Sequence, residues 1–344
     1  NVFFGRIQGG LAIVTVVVCM FFAAISGSGP ATVAAVGGMV IPTMLEKGYD
    51  KKFVLALIAA AGSIGVIIPP SIPMVIYAVT TNSSVSTLFL AGFVPGILIG
   101  LVLIAYSYFY AKKMGYKGDD EPFSVKRALR ETKEGFWAIL SPVIILGGIF
   151  GGIFTPTESA AVAVVYALLV SLLIYKDIKI KDIPGIFVDG AISTATILML
   201  VGISKSSGYV ITTSGLPHQV LEVFSSFTNS TVVILLLLNI LFLVIGMLME
   251  ANAAIIMMTP ILLPLLDAFG IDPLQFGIMM SFNLCIGLVT PPVGICLLMT
   301  NQIAEARFVQ TLKSVMPMLL IGVVVLMLVT YIPQVTTFLP GLIK

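Results

Sequence analysis

Two short stretches carry most of the chemistry this chain offers: Gly65-Val66-Ile67-Ile68-Pro69-Pro70 and Gly287-Leu288-Val289-Thr290-Pro291-Pro292. Each lies inside an apolar run long enough to cross a membrane. Neighbouring prolines donate no backbone hydrogen bonds, and each pushes the residue before it away from helical geometry, so a helix entering either stretch must break there. The break frees carbonyls, and at membrane depth such carbonyls persist only where protein, water or an ion satisfies them. Neutral oxygen donors of this kind suit a monovalent cation, and Na+ better than a divalent ion that demands carboxylates. The expected ligands are Gly65, Ile68 and Pro70 with Ser26 in the first stretch, and Gly287, Thr290 and Pro292 with Gly246 in the second. One Na+ site per stretch is expected.

A second chemistry has the opposite polarity. The segments beginning after Pro30, Pro70, Asn252 and Pro292 would each aim a helix N-terminus at the middle of the membrane, and such ends favour an anion. Ser28 is placed to cap the helix that starts at Pro30, and Asn252 stands at the start of the corresponding helix later in the chain. Lys205, in Ser204-Lys205-Ser206-Ser207, is the basic residue set deep in an apolar run, and a charge there marks a functional site by default. A carboxylate substrate touching Ser28, Asn252, Lys205 and Ser207 follows. Snorkelling or pairing with a partner subunit are the alternatives for Lys205. Glu250 fits either the ion site or an aqueous cavity, and the lone His218 reads as a solvated loop residue.

The elements that must position these groups are helical and membrane-embedded. Hydrophobic residues make up 58% of the 344 residues and charged ones 10%, and the mean hydropathy of +1.13 excludes an ordinary soluble domain. Cys19, Cys285 and Cys296 show no metal-ligand spacing and, being odd in number, no disulfide framework.

The two stretches belong to an internal repeat. At a constant offset of 222 residues, Pro42 meets Pro264, Gly48 meets Gly270, Asp50 meets Asp272, Gly65 meets Gly287, Pro95 meets Pro317 and Gly100 meets Gly322. The first repeat covers residues 1–110, with a re-entrant hairpin at 9–45, a broken helix at 53–80 and a helix at 87–110. A cytoplasmic connection follows at 111–135, and scaffold helices fill 136–213. The second repeat covers 231–333, with a hairpin at 231–267, a broken helix at 275–302 and a helix at 311–333. The loop at 214–230 reads as lying outside. Five crossings separate the hairpins, which inverts the second repeat relative to the first. Basic residues agree, since each except Lys205 and Lys344 falls in a proposed inside segment or its flank. Because the first repeat lacks counterparts of the scaffold helices, roughly 85 residues are expected upstream of Asn1. Inverted repeats with paired hairpins and paired broken helices point to alternating-access transport. A channel fits this pattern less well, and a membrane hydrolase would need a nucleophile and base within reach of each other, which the sequence does not offer. The basic run at 112–133 has interleaved acids and few aromatics, so no nucleic-acid role is expected.

Four motifs in order, Ile-Ser-Gly-Ser-Gly at 25–29, Gly-Val-Ile-Ile-Pro-Pro-Ser at 65–71, Thr-Pro-Thr-Glu-Ser-Ala-Ala at 155–161 and Gly-Leu-Val-Thr-Pro-Pro-Val-Gly at 287–294, resemble the large membrane subunit of tripartite ATP-independent periplasmic (TRAP) transporters along the whole chain. The resemblance implies an all-α polytopic protein of the bacterial inner membrane with an elevator-type fold. It also implies Na+-coupled import of a small organic acid, a sialic acid or a C4-dicarboxylate. The implied partners are a small four-helix membrane subunit and a soluble periplasmic substrate-binding protein. A symporter of the same architecture that needs no binding protein is the nearest alternative. The second tip, Met-Glu-Ala-Asn at 249–252, departs from the family's usual Met-Asp-Pro-Thr.

Overall fold

The computed structural model describes residues 7–116, 118 and 125–342, without the side chains of Val125, Arg127, Ala128, Ser204, Lys205 and Thr212. Arg6, Lys117 and Lys344, which the charge pattern uses, lie outside the described residues, as do the Arg127 and Lys205 side chains. Every regular element among the described residues is helical. Seven of the helices are long and apolar enough to cross a membrane.

The chain opens with a helical hairpin, α1 (Gly10–Ser26) and α2 (Gly29–Glu46). Gly27 ends α1 in the left-handed region at φ 63°, its N–H bonded to Ala23 O, and Ser28 caps α2 by accepting from the Ala31 N–H. The next helix is interrupted. Its first part, α3 (Lys51–Ser63), tightens into a 3-10 turn at Ile64–Val66, and after Pro69-Pro70 the chain resumes as α4 (Ile72–Thr81) with Ser71 as N-cap. An uninterrupted helix, α5 (Val85–Met114), follows.

The second half repeats this order with α10 (Thr231–Leu248), α11 (Ala251–Phe269), α12 (Pro273–Gly287), α13 (Ile295–Ile303) and α14 (Phe308–Tyr331). Residues paired by the offset do the same jobs. Asp50 and Asp272 cap α3 and α12, Gly48 and Gly270 both take positive φ, and both Pro-Pro bonds are cis. Between the halves lie α6 (Val125–Phe150), α7 (Pro156–Leu169), α8 (Ile183–Thr213) and α9 (Leu216–Phe227), and α15 (Gln334–Leu342) ends the described chain against α5.

The centre of the molecule is the pair α3 and α12, buried from Phe53 to Ser63 and from Gln275 to Gly287. The two helices touch where the Cys285 thiol donates to Ser63 O at 3.1 Å, across a separation of 222 residues. Ser63 and Cys285 are each other's counterparts in the repeat, so the axis relating the halves passes between them. The half-helices are exchanged across this axis: α4 packs on α11, and α13 packs on α2. Two hydrogen bonds pin the exchange, Tyr77 OH to Pro273 O at 2.8 Å and Lys51 Nζ to Ala304 O at 2.7 Å. By contrast α6, α7 and α8 leave most of their surface uncovered.

One buried polar network belongs to the second half alone. Asn283 Nδ2 donates to Asn239 Oδ1 at 2.7 Å, Asn239 Nδ2 to Thr330 Oγ1 at 3.0 Å, and Gln275 Nε2 to Thr330 O at 2.7 Å. It ties α10 and α14 to the helix that carries the second break. Asn239→Leu removes the acceptor of one Asn283 N–H, whose amide keeps its bond to Met279 O at 2.9 Å, and thermal unfolding of the purified protein should show a loss of about 1–3 kcal/mol.

Three boundaries differ from those the sequence suggests. The segment 214–230 is not a loop, since residues 216–227 form α9, whose Val220, Leu221 and Phe224 pack against the core. Pro217 in its first turn and this helical spacing explain the element. The connection 111–135 is helical from Val125, because its basic run forms the exposed start of α6, where Arg130 and Glu134 pair at 3.7 Å. The second tip is also shorter, because α11 begins at Ala251 and leaves Met249 and Glu250 between the helices.

Candidate functional site

At the first break, Pro69 and Pro70 stand where a continuous helix would place the amides serving Gly65 O and Val66 O. Val66 O is satisfied instead by the Ser71 hydroxyl at 2.6 Å, and the Ile67 and Ile68 amides both fold back on Ile64 O. No hydrogen bond among the described residues reaches the carbonyls of Ile67, Ile68, Pro69 or Pro70, although Ile67, Ile68 and Pro69 are buried. Buried carbonyls without partners call for a ligand.

The first hairpin tip closes over this break. The Ile72 N–H donates to Gly27 O at 3.2 Å. A Cβ on Gly27 would lie 2.6 Å from Pro70 O, and one on Gly65 would lie 2.7 Å from Ser28 O and 2.9 Å from Thr32 Oγ1. The hydroxyls of Ser26 and Thr32 are 3.0 Å apart, and Thr32 Oγ1 donates to Ser28 O at 2.8 Å. Ser26, Gly65 and Pro70 therefore lie around one tip-to-break contact whose oxygens are all neutral, whereas Ile68 packs on Gly96 of α5. Sequence reasoning missed Thr32, which is fully buried. The available signal was its place one turn after the Ser28 cap.

The second break is built differently. Thr290 N–H closes on Gly287 O at 3.0 Å and Cys296 N–H on Leu288 O at 2.9 Å, while Thr290 Oγ1 donates to Ile286 O at 2.7 Å. Gly246 and Gly287 meet backbone to backbone, since a Cβ on Gly287 would lie 2.5 Å from Gly246 O. Here the last turn of the entering helix makes the close contact, whereas in the first half the tip itself does. Pro292 and Val293 are exposed, in contrast to the buried first break.

A narrow cleft of about 40 Å³ lies between the two tips, lined by Ser28, Gly29 and Val66 from one half and by Glu250, Asn252 and Leu288 from the other. Glu250 is the N-cap of α11: one carboxylate oxygen accepts from the Asn252 and Ala253 amides at 2.8 and 3.1 Å, and the other from Asn252 Nδ2 at 2.9 Å. Asn252 Oδ1 is buried with no hydrogen-bond partner among the described residues. Ser28 and Asn252 are thus brought together as expected of a substrate site. Ser207 is not: it lies on the exposed surface of α8 and lines none of this cleft. Lys205 belongs to α8, and its side chain lies outside the described residues. His218 is exposed. Among the described residues no three His, Cys, Asp or Glu side chains form a metal cluster.

The described residues are helical throughout their regular elements, with seven candidate spans, two interrupted helices and two hairpins meeting at an internal cleft, and this defines a polytopic membrane protein. Residues 1–335 match the model of the tripartite ATP-independent periplasmic transporter DctM component, and the chain belongs to this family. It is 44% identical over 98% of its length to the isethionate TRAP transporter permease protein DctMQ of Oleidesulfovibrio alaskensis, of which it spans 53%. It is 40% identical over 99% of its length to the C4-dicarboxylate TRAP transporter large permease protein DctM of Pseudomonas aeruginosa, spanning 80% of that protein. To the sialic acid TRAP transporter large permease protein SiaM of Vibrio cholerae it is 37% identical over 98% of its length, spanning 79%. These relatives are permeases, not enzymes, and the chain is a multi-pass protein of the inner membrane.

Proposed function

We propose that this chain is the translocating subunit of a Na+-coupled importer of small organic acids, working with a small membrane subunit and a periplasmic binding protein that delivers the solute. The observation that carries the reading is the buried first break, where the carbonyls from Ile67 to Pro70 find no donor among the described residues while the Ser26 and Thr32 hydroxyls stand beside it. Na+ held there would draw the Ser26-Gly27-Ser28 tip onto the break and so couple ion binding to the shape of the cleft. The hairpins enter the membrane from opposite faces and return, which puts both tips at mid-depth.

An elevator motion suits this arrangement. The exchanged packing of α4 on α11 and α13 on α2 makes hairpins and broken helices one body, and the uncovered helices α6, α7 and α8 supply a frame for it to slide against. The named substrates of the relatives, isethionate, C4-dicarboxylates and sialic acid, are all acids. That supports an anionic solute here.

The test is uptake of labelled acids into proteoliposomes holding the complete membrane complex, with and without an inward Na+ gradient and with and without the binding protein. Uptake requiring both is the expected result. Uptake that persists without Na+ overturns the coupling. Lys205→Ala is expected to lower uptake several-fold, and unchanged uptake would remove Lys205 from the substrate site.

A further inference from the structure

A roomier pocket, of about 250 Å³, lies on the flank of the first tip, walled by Ile25 at the end of α1, by Ile72, Val75 and Ile76 of α4, and by Ile197 of α8. These walls are aliphatic, and the two hydroxyls beside them are already committed: Ser71 Oγ donates to Val66 O at 2.6 Å, and Ser26 Oγ lies 3.0 Å from Thr32 Oγ1. The Gly27 and Ile72 amides donate to Ala23 O and Gly27 O. A water settles in a cavity only with about two to four polar partners, and an anionic solute needs donors that these groups have committed elsewhere. Left empty, such a void forfeits the dispersion contacts its walls would otherwise make. Apolar side chains lead into it. Val17, Phe21 and Ile25 stand four residues apart on one face of α1, and each is 37–39% exposed. Their stripe covers about 12 Å of helix and ends at the pocket. On the opposite wall, Ile197 and Val201 are the two positions between 191 and 203 of α8 that are not exposed.

We propose that this pocket holds the end of a phospholipid acyl chain, which lies along the Val17–Phe21–Ile25 stripe and is gripped between the first tip and α8. The stripe belongs to a helix that enters the membrane, where acyl chains are the molecules at hand. Moving a chain out of the bilayer brings no hydrophobic gain, so what holds it is close packing in a space that no side chain fills. Ile25 and the α4 residues belong to the body of hairpins and broken helices, whereas Ile197 belongs to the frame. The site therefore exists only while tip and α8 stay in register. On the sliding motion proposed above, on which this step rests, the chain must leave before the tip can pass Ile197, so it brakes the exchange between states.

The experiment places the complete membrane complex in vesicles containing a small fraction of phosphatidylcholine with a photoreactive diazirine at the methyl end of one chain, and maps the crosslinks by mass spectrometry. Ile76 is only 6% exposed, whereas Leu101 and Leu320, midway along α5 and α14, are 56% and 63% exposed. Bulk lipid reaches the latter two, but only a chain inside the pocket reaches Ile76, which should be labelled at least as strongly as either. Ile197→Trp fills the pocket from the frame side: labelling of Ile76 should fall about tenfold while Leu101 and Leu320 keep theirs. The same variant bridges tip and frame permanently, so the maximal rate of Na+-driven uptake should fall about fivefold, with the half-saturating Na+ concentration within about twofold of wild type. Val75→Phe fills the pocket from the α4 side and decides the matter should Ile197→Trp not fold. Labelling of Leu101 and Leu320 without Ile76, or Ile76 labelling that survives both variants, overturns the chain site. Loss of the Ile76 crosslink with uptake unchanged overturns the brake. A wild-type complex without Na+-driven uptake overturns the transport reading and the brake with it, while the crosslinks still decide the chain site.

Discussion

Replacing Pro69 and Pro70 together with alanine is expected to reduce Na+-driven uptake to background while the protein still reaches the membrane in normal amount. The alanines restore two amides at the positions that would serve Gly65 O and Val66 O, and they release Ile68 from the bias against helical geometry that a following proline imposes. The 3-10 turn at Ile64–Val66 would then run on as α-helix, and the carbonyls now left open at Ile67 and Ile68 would acquire donors. An ion site made of those carbonyls disappears. Pro69→Ala alone, which supplies a donor to Gly65 only, tests the same argument with less disturbance to the packing of α4 on α11. The decisive readout is stabilisation by Na+. Anything that binds the native state raises the unfolding temperature by mass action, so wild type should gain stability with added Na+ and the double variant should not, while Pro69→Ala, which keeps the break at Pro70, should retain part of the gain. Full Na+ stabilisation in the double variant would show that the ion sits elsewhere.

Gly287→Ala is the second substitution expected to act strongly. Its Cβ would fall 2.5 Å from both the carbonyl carbon and the oxygen of Gly246. These are backbone atoms, so no rotamer change relieves the collision and α10 must move off α12. Overpacking of this kind costs about 1–3 kcal/mol, and the displaced helix leads directly into the Glu250 tip, so uptake should fall at least as sharply as stability. Gly65→Ala should behave alike in the first half, where the obstacle is Ser28 O at 2.7 Å. Gly202→Ala is the control: nothing lies within 4 Å of its added methyl, and inside α8 alanine should gain up to about 1 kcal/mol. Thermal unfolding and uptake measured on the same preparations separate these outcomes. A harmless Gly287→Ala would refute the close approach of the two helices.

Much of this architecture was legible because its punctuation is local. Paired prolines break helices wherever they stand, and Ser28 caps because of its place before Gly29-Pro30. The repeat offset tied those signals together. What stayed hidden depends on the third dimension. The offset says that Ser63 and Cys285 are equivalent but not that they touch. The Asn239–Asn283–Thr330 network joins three helices and leaves no periodic trace. Glu250 was ambiguous because capping and ion binding use the same oxygens, and the geometry assigns all of its hydrogen bonds to the start of α11. The helix α9 was missed because its apolar stripe is short and its flanks carry no basic residues to frame it.

The contact between Cys285 and Ser63 has one more implication. On the proposed sliding of hairpins and broken helices as one body, Ser63 and Cys285, each on a broken helix, would travel together. Spectroscopic labels at these two positions should keep one separation throughout, while the distance from either to α7 should change, so the contact is a ruler fixed within the moving body.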